Sequence, residues 1–151
     1  MFDIIKCQAD ASAHGFSRFY NFDDVNARIA QAPDLAAATN YKNKKTLLML
    51  ADHAMDDGAM KIIAEKKNVC FLIDLGRLIR IRGVQRAIAI SKLRNFLKLC
   101  VKHGAFYTFA SFAENEEQIR SPQEIEHIAM VLGLNRGQAK FALKMIGEYL
   151  K

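Results

Sequence analysis

The sequence predicts an α/β protein with a largely parallel sheet. From residue 46 onward, short apolar runs of strand length alternate with longer segments that have helical periodicity. The run over residues 69–73 is continuously apolar, as expected for a strand that is covered on both faces, and residues 105–110 are rich in aromatic and β-branched side chains. Strands that alternate with helices pair in parallel through right-handed crossovers, which gives the fold class.

The first 45 residues have the weakest pattern. We predict a strand over residues 2–7 and a short helix over residues 22–31, with Asn21 or Asp23 as its cap. Residues 34–39 are predicted as a second, weaker strand.

The middle of the chain predicts three strands and two helices. The strands cover residues 46–51, 69–73 and 105–110. A helix begins after Asp56 and Asp57 and ends near Lys66. A loop is predicted around residues 76–83, followed by a long helix that ends at about His103.

Two C-terminal helices are marked by their capping residues. Ser121 and Glu124 form the pattern of a capping box, and Pro122 suits the first helical position. Gly133 ends this helix, and Asn135 with Gln138 repeats the capping pattern for a final helix. The pair is similar in outline to a helix-turn-helix that reads DNA, but the basic residues lie mainly elsewhere, so we do not favour that function.

Size and composition favour a single cytoplasmic domain over residues 1–151. The content is 51% hydrophobic and 25% charged, which is ordinary for a globular protein. No window reaches 18 uninterrupted apolar residues, and the first 20 residues lack the apolar core of a signal peptide. Cys7, Cys70 and Cys100 are odd in number and widely spaced, so we expect buried, reduced thiols.

Positive charge is concentrated in residues 61–102. This run holds 11 of the 22 Lys and Arg residues and only two acids, Glu65 and Asp74, which gives it a formal charge of +9 in a chain whose net charge is +6. Such a field attracts polyanions and steers their encounter. Nucleic acid is the first partner that we expect, an acidic protein is the second, and a solvated set of helix faces is the alternative without a partner.

Two groups of cations within the run are candidates for phosphate contact. Four arginines follow the strand of residues 69–73, at the edge where parallel sheets bind ligands, and arginine matches phosphate with two parallel hydrogen bonds. Three further cations occur at four-residue spacing on the long helix, which places them near one face. The first group is Arg77, Arg80, Arg82 and Arg86, and the second is Arg94, Lys98 and Lys102.

The sequence gives little evidence of a catalytic site. The set Asp52, His53, Asp56 and Asp57 offers carboxylates and an imidazole that suit a metal, but no second histidine stands at ligand spacing, and the last two aspartates also suit a helix N-terminus. No GxSxG sequence and no glycine-rich phosphate loop is present. We therefore assign no catalytic residue and no metal site.

A set of short sequences resembles one known family. Its members are Lys66-Lys67-Asn68-Val69, the Leu75 to Leu78 turn, Lys102-His103-Gly104, the polar and acidic loop after the Ala105 to Ser111 strand, Arg120-Ser121-Pro122 and Leu132-Gly133. In order and spacing they resemble the C-terminal part of archaeal ribonuclease P protein component three, the counterpart of a eukaryotic ribonuclease P subunit. The resemblance covers residues 46–151, whereas residues 1–45 are shortened and divergent.

The resemblance implies a fold and a function. The fold is a TIM-like barrel related to the polymerase and histidinol phosphatase fold. The function is that of a non-catalytic, RNA-binding subunit of an endoribonuclease that removes the 5′ leader from precursor tRNA. The RNA subunit supplies catalysis with Mg²⁺, the chain itself binds no cofactor, and another small protein subunit pairs with it. The family position of Arg120 adds this residue to the candidates for phosphate contact.

The length of the chain modifies this expectation. A TIM barrel usually needs at least about 200 residues, and only five strands are predicted here. We therefore expect a shortened or partial (β/α) barrel with a largely parallel sheet and two C-terminal helices. An open sheet edge would be covered by the N-terminal segment or by a partner subunit.

The leading hypothesis is a ribonuclease P subunit that contacts the ribonuclease P RNA, and precursor tRNA within the complex. Its rival is a small metal-dependent phosphoesterase of the same barrel group that uses Asp52, His53, Asp56 and Asp57. A third hypothesis is a basic protein that only docks an acidic protein.

Overall fold

Six parallel strands and seven α-helices make up the computed structural model, which describes residues 1–151. The strands are β1 (Phe2–Ile5), β2 (Arg18–Asn21), β3 (Ile29–Ala32), β4 (Thr46–Leu50), β5 (Val69–Asp74) and β6 (Phe106–Ala110). The helices are α1 (Phe22–Val25), α2 (Leu35–Ala38), α3 (Asp57–Lys66), α4 (Leu75–Arg80), α5 (Gly83–His103), α6 (Pro122–Val131) and α7 (Arg136–Leu150). No helix is both long and apolar enough to cross a membrane.

The strands form an open barrel. Strands β3, β4, β5 and β6 are neighbours in that order, and β1 pairs with β2. β1 also lies beside the segment that follows β6, because the Phe112 amide donates to the Ile4 carbonyl at 3.0 Å and the Lys6 amide donates to the Ala113 carbonyl at 2.8 Å. β2 and β3 do not pair, so the barrel stays open between them. This arrangement confirms the prediction of a partial barrel with a parallel sheet.

Helices cover both faces of the sheet. On one face, the Phe71 ring meets the Phe96 ring of α5 edge-on, with centroids 5.1 Å apart. On the other face, Leu72 belongs to a buried cluster that includes Met145 and Ile146 of α7. The Thr108 hydroxyl donates to the Ala142 carbonyl of α7 at 2.7 Å, which fixes this helix against β6. Burial on both faces explains why β5 is apolar along nearly its whole length.

A buried carboxyl group joins the N-terminal strand to the sheet. Asp3 is fully buried, and its carboxyl accepts hydrogen bonds from the Ser111 amide at 2.8 Å, the Ser111 hydroxyl at 2.6 Å and the Ile4 amide at 2.8 Å. Burial raises the pKa of Asp3 to about 6, because a charged carboxylate is poorly solvated there, although the hydrogen bonds act in the opposite direction. The link between β1 and the end of β6 is therefore sensitive to the protonation of one group.

The N-terminal predictions need three corrections. Residues 34–39, predicted as a strand, form helix α2, because the Asp34 carboxylate accepts a hydrogen bond from the Ala37 amide at 2.9 Å and the alanines that follow favour a helix. The helix predicted over residues 22–31 ends at Val25, and its last residues form β3. Strand β2 is absent from the predictions. Asn21, one of the two residues predicted as the cap of this helix, is the cap of α1.

The predicted loop over residues 76–83 is also wrong for most of its length, because it contains helix α4. The Asp74 carboxylate caps this helix by accepting from the Arg77 amide at 2.8 Å. The other elements are confirmed: β4, β5, β6 and α3 lie where they were predicted, and both C-terminal helices begin with complete capping boxes. Cys70 and Cys100 are buried free thiols, whereas Cys7 is partly exposed.

Candidate nucleic-acid interface

The arginines of α4 stand at the carboxyl edge of the sheet. β5 ends at Asp74, and α4 follows without a connecting loop. Burial raises the pKa of the Asp74 carboxyl, even though this group accepts the hydrogen bond from the first turn of α4. Because α4 has only six residues, its arginines and those at the start of α5 remain close to the edge of the sheet.

Three arginines surround one open concavity. Arg80, Arg82 and Arg86, together with Ile79, line a depression of about 650 Å³ at the corner between α4 and α5. We call these three residues the arginine cradle. No carboxylate lines the depression, and the side chains of Arg80 and Arg82 are exposed. None of the three arginines forms an ion pair, although Arg80 is close enough to Asp74 to interact with its charge. Positive charge without a paired carboxylate is suited to a polyanion.

Arg86 also holds the corner together. Its guanidinium donates through Nε to the Ile81 carbonyl at 2.7 Å and through Nη2 to the Ile79 carbonyl. These carbonyls lie at the end of α4 and just beyond it, where helical partners are missing. Arg86 is therefore a positioning residue for the cradle, and its bond to the backbone leaves fewer of its donors for phosphate.

Arg77 faces a second depression beside the cradle. A cleft of about 380 Å³ lies between the carboxyl ends of β4 and β5 on one side and helices α4 and α5 on the other. We call it the β4–β5 cleft. Its polar lining consists of Asp52, His53, Asp74, Arg77, Gln85 and Lys92.

The three cations of α5, predicted to lie near one face of the helix, do not form one continuous surface. Arg94 donates to the Val131 carbonyl at the end of α6 at 3.1 Å, whereas Lys102 forms an ion pair of 3.2 Å with Asp57 of α3. The side chain of Lys98 has neither an ion pair nor a hydrogen bond within the chain, and with Arg94 it lines a groove of about 360 Å³ next to the turn between α6 and α7. Four residues of an α-helix turn through about 400°. Each successive cation is therefore displaced by about 40° around the helix axis, and the three cations contact different neighbours.

Arg120 lies apart from both groups. Its Nη1 donates to the Glu117 carbonyl at 3.0 Å, and its Nε lies 3.9 Å from the Glu124 carboxylate. The structure thus brings Arg80, Arg82 and Arg86 together, and Arg94 with Lys98, but it leaves Arg77, Lys102 and Arg120 at separate positions.

Three of the four residues of the phosphoesterase hypothesis have other polar partners. Asp52 pairs with Lys92 at 3.3 Å, Asp56 caps α3, and Asp57 binds His103 at 2.9 Å. Hydrogen bonds from His103 and Lys102 lower the pKa of Asp57. No three His, Cys, Asp or Glu side chains lie close enough together to hold a metal ion. The geometry gives this hypothesis no converged site.

The sequence predictions missed the β4–β5 cleft. Its α5 wall is formed by residues at helical spacing, Gln85, Ile88, Ala89, Lys92 and Leu93. This spacing is visible in the sequence, but the facing wall comes from the ends of two strands, and only the folded chain brings the two walls together.

Known proteins resemble this chain in both sequence and fold. The sequence matches the family described as RNase P subunit p30 over residues 54–149, which is more than half of the chain. The fold is similar to that of a chain in the cryo-EM structure of archaeal Ribonuclease P with mature tRNA, with a TM-score of 0.70 and 15% sequence identity. The similarity covers 98% of this chain, and therefore the divergent N-terminal residues as well, and 79% of that chain. No curated protein matches the sequence.

Proposed function

The chain belongs to the RNase P subunit p30 family, and we propose that, as a non-catalytic protein subunit of ribonuclease P, it binds the RNA of this enzyme through the arginine cradle. The observation that carries the proposal is the convergence of three arginines, with no carboxylate among them, on one open depression. A guanidinium can bind two oxygens of a phosphate at once, so a cluster of this kind is suited to a folded RNA backbone.

The wider assembly is proposed from the same family. The structure that the fold resembles contains ribonuclease P with mature tRNA, and we propose that this chain acts beside precursor tRNA in such a complex. Removal of the 5′ leader is then carried out by the RNA subunit with Mg²⁺, and a second small protein subunit contacts this chain. We place the assembly in the cytoplasm.

If the arginine cradle contacts phosphates, replacing its arginines should change how the RNA affinity depends on salt concentration. Replacing Arg80 and Arg82 together with glutamine should weaken binding to the ribonuclease P RNA by about 10- to 100-fold at moderate salt. It should also reduce the slope of log affinity against log salt by roughly 1.5 to 2, because the phosphates that are no longer contacted keep their condensed counterions. The slope is measured by fluorescence anisotropy over a series of KCl concentrations.

A matched variant separates local contact from total charge. Lys140 and Lys144 are exposed on α7, away from the cradle, and their replacement with glutamine removes the same two charges. This control should retain most of the wild-type slope. Equal slopes for the two double variants would show that the cradle is not the RNA-binding surface.

A further inference from the structure

The β4–β5 cleft has the position and size of a ligand site. It opens at the carboxyl ends of two parallel strands, which is where α/β folds bind ligands. Its volume of about 380 Å³ lies within the range of roughly 300 to 1,000 Å³ that small-molecule sites occupy. Neither the family match nor the arginine cradle assigns a role to it.

Most of the cleft wall is apolar. Leu78 and Ile81 contribute from α4 and its end, and Ile88, Ala89 and Leu93 contribute from α5. Ile88 is 46% exposed, so part of this apolar wall is open to solvent. A flat, weakly polar group that covered this wall would remove apolar surface from water.

His53 supplies a free hydrogen-bonding edge inside the cleft. Its ring packs edge-on against Phe96, with centroids 4.9 Å apart, and neither ring nitrogen has a hydrogen-bond partner in the protein. No buried side-chain nitrogen or oxygen in the structure lacks a partner, so the free nitrogens of His53 are accessible from the cleft. Burial lowers the pKa of His53 to about 4. Near pH 7 the ring is neutral and has one donor and one acceptor.

Cations stand at the mouth of the cleft. Arg77 and Lys92 line it from α4 and α5. Lys92 pairs with Asp52 across the mouth at 3.3 Å, and both side chains are about half exposed, with relative areas of 55% and 50%. Because exposed ion pairs contribute little free energy, a phosphate can replace Asp52 as the partner of Lys92.

We propose that the β4–β5 cleft binds one unpaired nucleotide, with the base against the apolar wall and His53, and with the phosphate at Arg77 and Lys92. A nucleobase presents donors and acceptors at its edge and a flat face of low polarity, which matches the free imidazole and the apolar wall. A phosphate matches the cations of the mouth. As a contact to the ribonuclease P RNA, this site rests on the proposed function. Helix α4 contributes residues to both the cleft and the cradle, so one strand can occupy both.

The first experiment uses AMP, adenosine and inorganic phosphate as probes. We expect AMP to cause saturable NMR shifts of the His53 ring and of the Ile88 and Leu93 methyl groups, and phosphate alone to leave those methyl groups unchanged. Replacing Ala89 with phenylalanine fills the cleft and should weaken AMP binding by about tenfold or more. Ala87→Phe, at an exposed position on the same helix, should bind AMP like the wild type.

Lys92→Gln provides a variant whose folding is not in question, because Lys92 is exposed. It should weaken the binding of AMP and leave the binding of adenosine unchanged. The proposal is overturned by any of three results: no saturable shifts with AMP, the same shifts with phosphate alone, or equal AMP affinities for Ala89→Phe and Ala87→Phe.

A second experiment separates a nucleotide of RNA from a free nucleotide. Ala89→Phe should lower the affinity for the ribonuclease P RNA severalfold and reduce the salt slope by no more than about 1, because only the phosphate contact at the cleft is lost and the arginine cradle is unchanged. The Arg80/Arg82 double variant should change the slope and leave AMP binding intact. If Ala89→Phe lost AMP but bound RNA normally, RNA would be excluded as the source of the nucleotide. If the wild type bound AMP but not RNA, the proposed function would fail and the cleft would remain a nucleotide site.

Discussion

Replacing Gly76 with alanine should destabilise the protein by about 3 kcal/mol or more, because the added methyl group has no space. A Cβ atom at this position would overlap the backbone carbonyl of Ser111 and would lie 2.8 Å from Nη1 of Arg80. The carbonyl cannot move aside easily, since the amide and hydroxyl of Ser111 are bound to the buried Asp3. Relief therefore requires that α4 moves away from the sheet, and the arginine cradle moves with it.

Urea denaturation of the two proteins measures this effect directly. Gly58→Ala is the matched control, because its Cβ would have only one close neighbour, the Asp56 carboxylate at 3.8 Å, and it lies in the first turn of α3. Alanine is favoured over glycine in a helix by up to about 1 kcal/mol, so the control should be neutral or more stable. A free energy of unfolding for Gly76→Ala within about 1 kcal/mol of the wild type would contradict the close packing of α4 on Ser111.

Replacing Asp3 with asparagine should change the free energy of unfolding in a way that depends on pH. The free energy of unfolding of Asp3→Asn minus that of the wild type should be about 3 kcal/mol higher at neutral pH than in acid. The Asn side-chain oxygen can still accept from the Ser111 and Ile4 amides, and its amide can donate to the Ser111 hydroxyl. The variant thus keeps the contacts that join β1 to β6 and removes the buried charge.

The direction of the pH dependence follows from the raised pKa. Asp3 has a pKa of about 6 in the folded protein instead of 3.8, so between these values the folded state retains a proton that the unfolded state has lost. Its contribution to stability is complete below pH 3.8 and is lost as the pH rises through 6, which amounts to about 3 kcal/mol. His53 acts in the opposite direction, because its pKa is lowered, but it is present in both proteins and cancels in their difference.

Denaturation at several pH values between 4.5 and 7.5 tests this prediction. The stability of Asp3→Asn minus that of the wild type should rise across this range and level off above pH 7. Asp3→Ala serves as the control, because it leaves Ser111 without its acceptor and should be destabilised at every pH. A difference between Asp3→Asn and the wild type that does not change with pH would show that Asp3 titrates normally.

Local chemistry explains which elements were predictable from the sequence. The capping boxes of α6 and α7 involve residues only three positions apart, so Ser121 with Glu124 and Asn135 with Gln138 mark the helix starts without tertiary information. Strand β5 is predictable because burial on both faces leaves a continuous apolar run. Strands β2 and β3 have four residues each, too few to show a period, and they depend on pairing with β1 and β4.

Tertiary packing explains what the sequence left out. Gly76 suggests a loop, yet glycine is needed there because α4 approaches the Ser111 carbonyl closely. The arginine cluster was predicted from its position after β5, but the role of Arg86 as a clamp on the α4–α5 corner depends on two carbonyls that only the fold places beside it. The same holds for Lys102, whose partner Asp57 lies 45 residues away in the chain.

The most direct test of a supporting role in ribonuclease P is precursor-tRNA cleavage by the reconstituted enzyme. The RNA subunit and its other protein subunits are assembled without this chain, with the wild-type chain, or with the Arg80→Gln/Arg82→Gln variant, and the rate of 5′ leader removal is measured. The wild-type chain should raise the rate, and the double variant should raise it less at the same concentration. Equal rates with and without the wild-type chain would contradict the proposal that this protein supports the catalytic RNA.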